Sequence, residues 1–371
     1  MLLFLSDGYL TGMLLWLIAG AFGFWLLLRL RGMWRGQPRR LNWIHAGLSM
    51  WMLLALFTGI ELYFALIYDT SDSFNMTNVS QKWFKLHVEP QRRQLPLSNE
   101  EKIDYRDDRD FPETVGLDQK HIVFLGDSFT FAQGVAEVKD RFSNRIRSEL
   151  DRSQPDRYLV SNLAEPGTDL VWGERVLELL YARRQKIDFA VYVLCLNDIE
   201  SFHKRHMAFY HELDLAKPQF FLFRDTYFPN WMYFRLKQFT ATDVRGYYGF
   251  VRDYYNGEPW LRMREKLDQV QKMCQTHGTD FRVVVFPFLH NLGPAYPFRD
   301  VHRQIADHCR VAGIPVLDLE PALTRMSSKS LTVNRFDAHP NELAHRIAAE
   351  EILQKLFQDF VANGNLKIDG S

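Results

Sequence analysis

Two apolar runs near the N-terminus decide what this chain can fold into. No charged residue occurs from Gly8 through Leu28, and from Leu41 through Tyr68 the only charge-bearing candidates are His45 and Glu61. A helix crosses a bilayer core with about 20 apolar residues, so each run is long enough to span. Five arginines (Arg29, Arg31, Arg35, Arg39 and Arg40) separate the runs, whereas Asp7 precedes them and Asp69 and Asp72 come after. Basic loops stay in the cytoplasm. The pattern therefore predicts a transmembrane helical hairpin over residues 1–69, with spans at about 9–28 and 43–68. It turns in the cytoplasm, and the chain beyond Asp69 lies outside. A cleaved leader is the poorer reading, because the basic region that opens such a leader is missing. Glu61, toward the far end of its run, is expected to reach the lipid headgroups.

Beyond the hairpin the chain changes character. Residues 70–118 are polar and punctuated by Pro90, Pro96 and Pro112, which reads as a lead-in, with Arg106-Asp107-Asp108-Arg109-Asp110 exposed within it. From about 119 to 362 strand-like and helix-like segments alternate. Strands are expected at 121–126, 158–163, 189–196, 281–286 and 314–317. Helices are expected at about 138–152, 169–185, 259–276, 300–311 and 341–361, the last capped by Pro340-Asn341-Glu342. Such alternation implies a parallel sheet covered by helices on both faces, a doubly wound α/β architecture of flavodoxin-like order. Residues 202–260 interrupt the rhythm with Phe220, Phe221, Phe223, Tyr227, Phe228, Trp231, Tyr233 and Phe234. They read first as a small helical insertion and second as a lid or substrate platform. Residues 363–371 are a tail.

Composition excludes several classes. Lys+Arg and Asp+Glu both number 45, so no charge excess points to a nucleic-acid partner. The three cysteines, Cys195, Cys274 and Cys309, match neither a disulfide framework nor a zinc pattern. No metal and no cofactor is expected.

The chemistry gathers at the predicted strand ends, where open α/β sheets place their sites. The first strand stops at Gly126-Asp127-Ser128. A serine hydroxyl needs a base, an orienting acid and an oxyanion hole before it attacks a carbonyl. After the second strand comes Gly167, whose missing side chain lets a backbone N–H approach a ligand. After the third comes Asn197-Asp198, where Asn197 offers an amide donor or Asp198 a helix cap. Before the last helix stands Asp337-Ala338-His339. Residues at i and i+2 share a side of an extended segment, so Asp337 either orients His339 or lends it polar support. His339 is placed to take the Ser128 proton. Asp127 reads as a structural hydrogen-bonding residue and His345 as part of the last helix's core. His290, at another strand end, is a candidate for substrate contact.

These blocks, in this order, resemble the SGNH/GDSL hydrolase family across about residues 119–362. The form Gly-Asp-Ser-Phe-Thr-Phe is similar to a bacterial branch of it. The resemblance implies Ser128 as nucleophile, His339 as base and Asp337 as its partner. It implies an oxyanion hole from the Ser128 N–H, the Gly167 N–H and the Asn197 side chain. Two positions depart from the pattern. Cys195 stands where the third block carries glycine, and the last block has Asp-x-His in place of Asp-x-x-His, a spacing similar to the alginate O-acetylation branch. The implied function is a membrane-anchored serine esterase or deacylase working through an acyl-enzyme. It would act outside the cytoplasm, at a bacterial inner membrane, on an O-acylated glycan or lipid ester. One alternative is an O-acyltransferase for a cell-surface polysaccharide, partnered by a multi-spanning membrane acyltransferase. Another is a non-catalytic domain that binds glycan or a partner.

Overall fold

Ile122, Val123, Phe124 and Leu125 carry side chains on alternate faces, yet none is more than 1 % exposed. A strand apolar on both faces needs a cover on each, and this one is the second strand of a five-stranded parallel sheet. In the computed structural model, which describes residues 7–97, 101–204, 208–240 and 242–357, the strands are Lys120–Gly126 (β1), Tyr158–Asn162 (β2), Phe189–Cys195 (β3), Asp280–Phe286 (β4) and Val316–Asp318 (β5). All adjacent pairs are parallel, in the order β2-β1-β3-β4-β5. This is the flavodoxin-like, doubly wound arrangement expected from the alternation. Helices Phe142–Ser153, Leu170–Ala182, Glu258–Thr276, Arg299–Ala312 and Glu342–Glu351 belong to the same unit. The last is shorter than expected, passing into a wider turn at Ile352–Leu356. Its predicted end at 361 and the tail 363–371 lie outside the described residues.

Three helices start where a short polar side chain replaces the missing intrahelical partner. Asp127 accepts from the Phe129 N–H, Asp169 from those of Val171 and Trp172, and Asn341 from those of Leu343 and Ala344. The unit also takes in Ser71–Ser73 and much of the expected lead-in. Arg92–Pro96 and Lys102–Arg106 pair as an antiparallel hairpin. The charged run after it is not wholly exposed: Arg106 and Asp107 are buried. Arg106 donates to the carbonyls of Ala132, Val135 and Ala136. Asp107 accepts from Arg141 and Arg147 at 3.0 and 2.8 Å. Burial pushes the Asp107 carboxyl up, but these two guanidiniums hold it at about 2.

The other unit comprises residues up to Thr70 together with Phe74–Leu86 and Glu212–Ala241. Its two long helices, Asp7–Met33 and Pro38–Leu66, are long and apolar enough to cross a membrane. Leu14, Leu15, Ile18, Met50, Leu53 and Leu56 are exposed on them. Between the helices, the Trp16 indole N–H donates to Thr58 Oγ1 and that of Trp51 to the Gly20 carbonyl, both at 2.9 Å. Glu61 does not reach outward as expected. It is 3 % exposed and accepts from the N–H groups of Tyr227 and Phe228, each at 2.8 Å, at the start of helix Phe228–Thr240. Lys82 donates to the carbonyls of Phe64, Ala65 and Tyr68, where the second long helix ends. Opposite charges thus meet opposite helix ends, as the helix dipole favours.

The aromatic insertion is divided between the units. Glu212–Ala241 belongs with the long helices, whereas the chain from Thr242 belongs with the sheet. There Val251, Tyr255 and Trp260 are core residues.

Candidate active site

Gly126 makes the turn out of β1 possible. It lies at φ +150°, and a Cβ there would sit 2.4 Å from Thr130 Oγ1 and 2.7 Å from the Val193 carbonyl oxygen. The chain turns at once into the short helix Ser128–Phe131, capped by Asp127. Ser128 is its first residue, where a helix leaves backbone N–H groups without an internal acceptor.

His339 arrives from the hairpin Thr332–Asn334/Asp337–Pro340. Its Nε2 lies 2.8 Å from Ser128 Oγ. Its Nδ1 lies 2.5 Å from Asp337 Oδ1. A carboxylate can only accept, so Nδ1 carries the hydrogen and Nε2 is left to accept the serine proton. The Asp-x-His spacing has a local logic. Asp337 Oδ1 also accepts from the His339 backbone N–H at 3.2 Å, the Asx-turn geometry of a side chain meeting the backbone two residues on. One oxygen therefore fixes both the main chain and the ring of the histidine. Asp337 is fully buried and His339 nearly so, and Phe129 packs edge-on against the imidazole with ring centroids 5.4 Å apart.

The oxyanion candidates are carried by the next two strand ends. The loop after β2 is tied to the end of β1, because the Glu165 N–H and Thr168 Oγ1 both donate to the Gly126 carbonyl. Within that loop Gly167 is exposed and turns at φ +76°. After β3, Asn197 is half-buried, and it lies close enough to Asp127, the residue before the serine, to help lower that carboxyl's pKa. An amide NH2 carries the hydrogen an oxyanion would need. Burial pushes the Asp127 carboxyl up to about 6, against the pull of the Phe129 N–H, His339 and Asn197. Asp198 accepts from the Tyr192 hydroxyl at 2.6 Å and the Cys195 N–H at 3.2 Å. Burial pushes its carboxyl well up, and the neighbouring Asp127 pushes it further.

No family model and no curated protein matches this chain. Solved structures similar to it include a two-domain esterase active on acetylated mannans, at 16 % identity and a TM-score of 0.38 over 65 % of this chain and 49 % of that one. The chain thus spans about half the length of that protein. An acetylxylan esterase from Geobacillus stearothermophilus matches at 15 % identity and a TM-score of 0.40, over 64 % of this chain and 94 % of that one. TesA matches at 15 % and 0.41, over 64 % and 98 %. Likeness this distant decides nothing about activity, and the functional reading rests on the site itself.

Two other histidines stand apart from the serine's hydrogen bond. His345 is fully buried, stacks on Phe142 and accepts from the Phe142 N–H. Burial, with Arg141 nearby, pulls its pKa down to about 3. His290 stacks on Tyr248 with ring centroids 3.8 Å apart, and burial lowers its pKa to about 4. Cys195, Cys274 and Cys309 are buried free thiols, and no His/Cys/Asp/Glu group able to hold a metal ion occurs among the described residues.

Sequence reasoning missed Ser71. Its hydroxyl donates to Asp337 Oδ2, the oxygen that His339 does not use. Ser71 belongs to a short polar stretch with no spacing relation to Asp337, so nothing in the sequence marked it. Gly134 is its companion. It turns at φ +87°, and a Cβ there would lie 3.1 Å from both Ser71 Oγ and Asp337 Oδ2.

Proposed function

We propose that this protein is a serine esterase or deacylase of the SGNH/GDSL type, held at a membrane by its two N-terminal helices. The observation that carries the reading is the continuous hydrogen-bonded chain Ser128–His339–Asp337, set at the end of the first strand of a doubly wound sheet. In this reading Ser128 Oγ attacks an ester carbonyl while its proton passes to His339 Nε2. Asp337 holds the imidazole in the tautomer that permits this and stabilises the imidazolium. The oxyanion is received by the N–H groups of Ser128 and Gly167 and by the Asn197 amide. Collapse of the tetrahedral adduct breaks the ester C–O bond, and His339 returns the proton to the departing alcohol. Water then repeats the sequence on the acyl-enzyme and releases the acid. The arginine-rich turn between the helices supports a site facing away from the cytoplasm. An O-acylated glycan or a lipid ester is the substrate class compatible with that location.

The test is labelling of the detergent-purified protein with a fluorophosphonate, which reports an activated serine whatever the natural ester. Wild type is expected to label at Ser128. Ser128→Ala is expected to lose labelling entirely and His339→Ala to lose it by about 10⁴-fold or more. A folded wild type that does not label overturns the catalytic reading.

A further inference from the structure

The first residues after the two long helices lie against the acid of the serine–histidine chain. Ser71–Ser73 comes only a few residues after the second long helix, yet belongs to the sheet-bearing unit. Its contacts run along the hairpin that carries Asp337 and His339. The Ser71 hydroxyl donates to Asp337 Oδ2, and its carbonyl accepts from the Asn334 side chain at 3.2 Å. The Ser73 N–H donates to the Phe336 carbonyl at 3.1 Å. Ser73 Oγ accepts from the Ala338 N–H at 2.9 Å. On the other side, Gln133 donates to the carbonyls of Asp72 and Ser73 at 3.2 and 3.4 Å. The strap thus has partners on residues 334, 336, 337 and 338. Ser71 and Asp72 are each 1 % exposed.

We propose that Ser71 is the positioning residue of this site, and that the strap Ser71–Ser73 makes the chain just beyond the long helices part of the catalytic machinery. The proposal rests on the reading of Ser128, His339 and Asp337 as a catalytic chain. Its logic is the division of labour between the two oxygens of Asp337. Oδ1 meets both the backbone and the ring of His339. Oδ2 faces away from the ring. A fully buried carboxylate with one oxygen unsatisfied would rotate to share its charge. The Ser71 hydroxyl satisfies Oδ2 and fixes the carboxylate plane, so that Oδ1 stays in line with Nδ1. Without the Ser71 donor the carboxylate is free to turn, and the aim of His339 toward Ser128 loosens.

The consequence is distinctive. The hydroxyl that completes the site comes from a segment that precedes β1 in the chain and directly succeeds the long helices. A chain carrying Ser128, Gly167, Asn197, Asp337 and His339 is incomplete without it.

The experiment is the rate and end point of fluorophosphonate labelling of full-length protein in detergent, for wild type, Ser71→Ala and Ser71→Thr. The end point counts folded, competent serines; the rate reports how well each is activated. Ser71→Ala is expected to reach the wild-type end point about 10- to 100-fold more slowly, the loss of one hydrogen bond to a charged group. Ser71→Thr, which keeps the hydroxyl, is expected to recover most of the rate. A lowered end point with unchanged rate would reduce Ser71 to a folding role and overturn the proposal. So would a Ser71→Ala protein indistinguishable from wild type, and in both cases the catalytic reading would stand. A folded wild type that never labels would overturn both.

Discussion

Two buried carboxylates, one in each unit, look alike by every local measure. Glu61 and Asp337 are 3 % and 0 % exposed, and both have each oxygen hydrogen-bonded. Both answer the same need, since a carboxylate out of water must be satisfied. What separates them is the next link. Glu61 accepts from the backbone N–H groups of Tyr227 and Phe228, which pass no proton on, so the carboxylate caps the start of a helix. Beyond Asp337 stands an imidazole, and beyond that a serine hydroxyl 2.8 Å away, so in the proposed mechanism the same burial and charge govern a proton. Burial and polarity identify a group under constraint. Only its partner's chemistry shows whether the constraint is structural or reactive.

The sharpest way to break this contrast is to neutralise each carboxylate. Asp337→Asn keeps the shape but removes the charge and turns one of the two acceptor oxygens into a donor, so the His339 tautomer is no longer fixed. The expected result is a fall of about 10³–10⁴-fold in the labelling rate at Ser128, with melting temperature little changed. Glu61→Ala should do the reverse. Two helix N–H groups lose their acceptor, at a cost of about 2–4 kcal/mol, read as a lower melting temperature in detergent. The labelling rate of the protein that remains folded should equal wild type. If Glu61→Ala slowed labelling as much as Asp337→Asn, the distinction between the two carboxylates would collapse.

A smaller effect sharpens the contrast between reactive and structural histidines. His345 is pulled to about 3 from an ordinary value of 6.5. The unfolded chain therefore takes up a proton near pH 6.5 while the folded one does not. The stability this neutral histidine allows is whole above pH 6.5 and drains as pH falls toward 3. The loss is at most about 1.4 kcal/mol per pH unit, or roughly 2 kcal/mol by pH 5. His345→Gln, which has no proton to take up, should flatten the decline in melting temperature between pH 6.5 and 5. Equal slopes in the two proteins would remove His345 from the account of acid sensitivity.

Some of this was legible in the chain because the signal is local. A strand apolar on both faces, a Gly-Asp-Ser turn, a cap at Asn341 and a long run without charge each state their meaning within a few residues. Their energetics act between neighbours: pleat alternation, a cap's reach to the next N–H, the length of an apolar run. The doubly wound sheet results from such signals repeated in order, and so do the positions of Ser128, Gly167 and Asn197 after its strand ends. The sequence by itself thus determined the class of fold, the two long apolar helices and the identity of the candidate nucleophile and base.

The tertiary structure decided what depends on partners distant in the chain. Arg106 and Asp107 look like surface charges until Arg141 and Arg147 come to neutralise the aspartate. Glu61 looks like a headgroup contact until residues 227 and 228 bring it two backbone donors. The aromatic stretch looks like one insertion, and the structure divides it between units. Ser71 is the clearest case, since no periodicity links it to Asp337, 266 positions away. The physical reason is common to the three polar cases. A buried polar group must find a partner, and sequence alone shows the demand for one but not which distant segment supplies it.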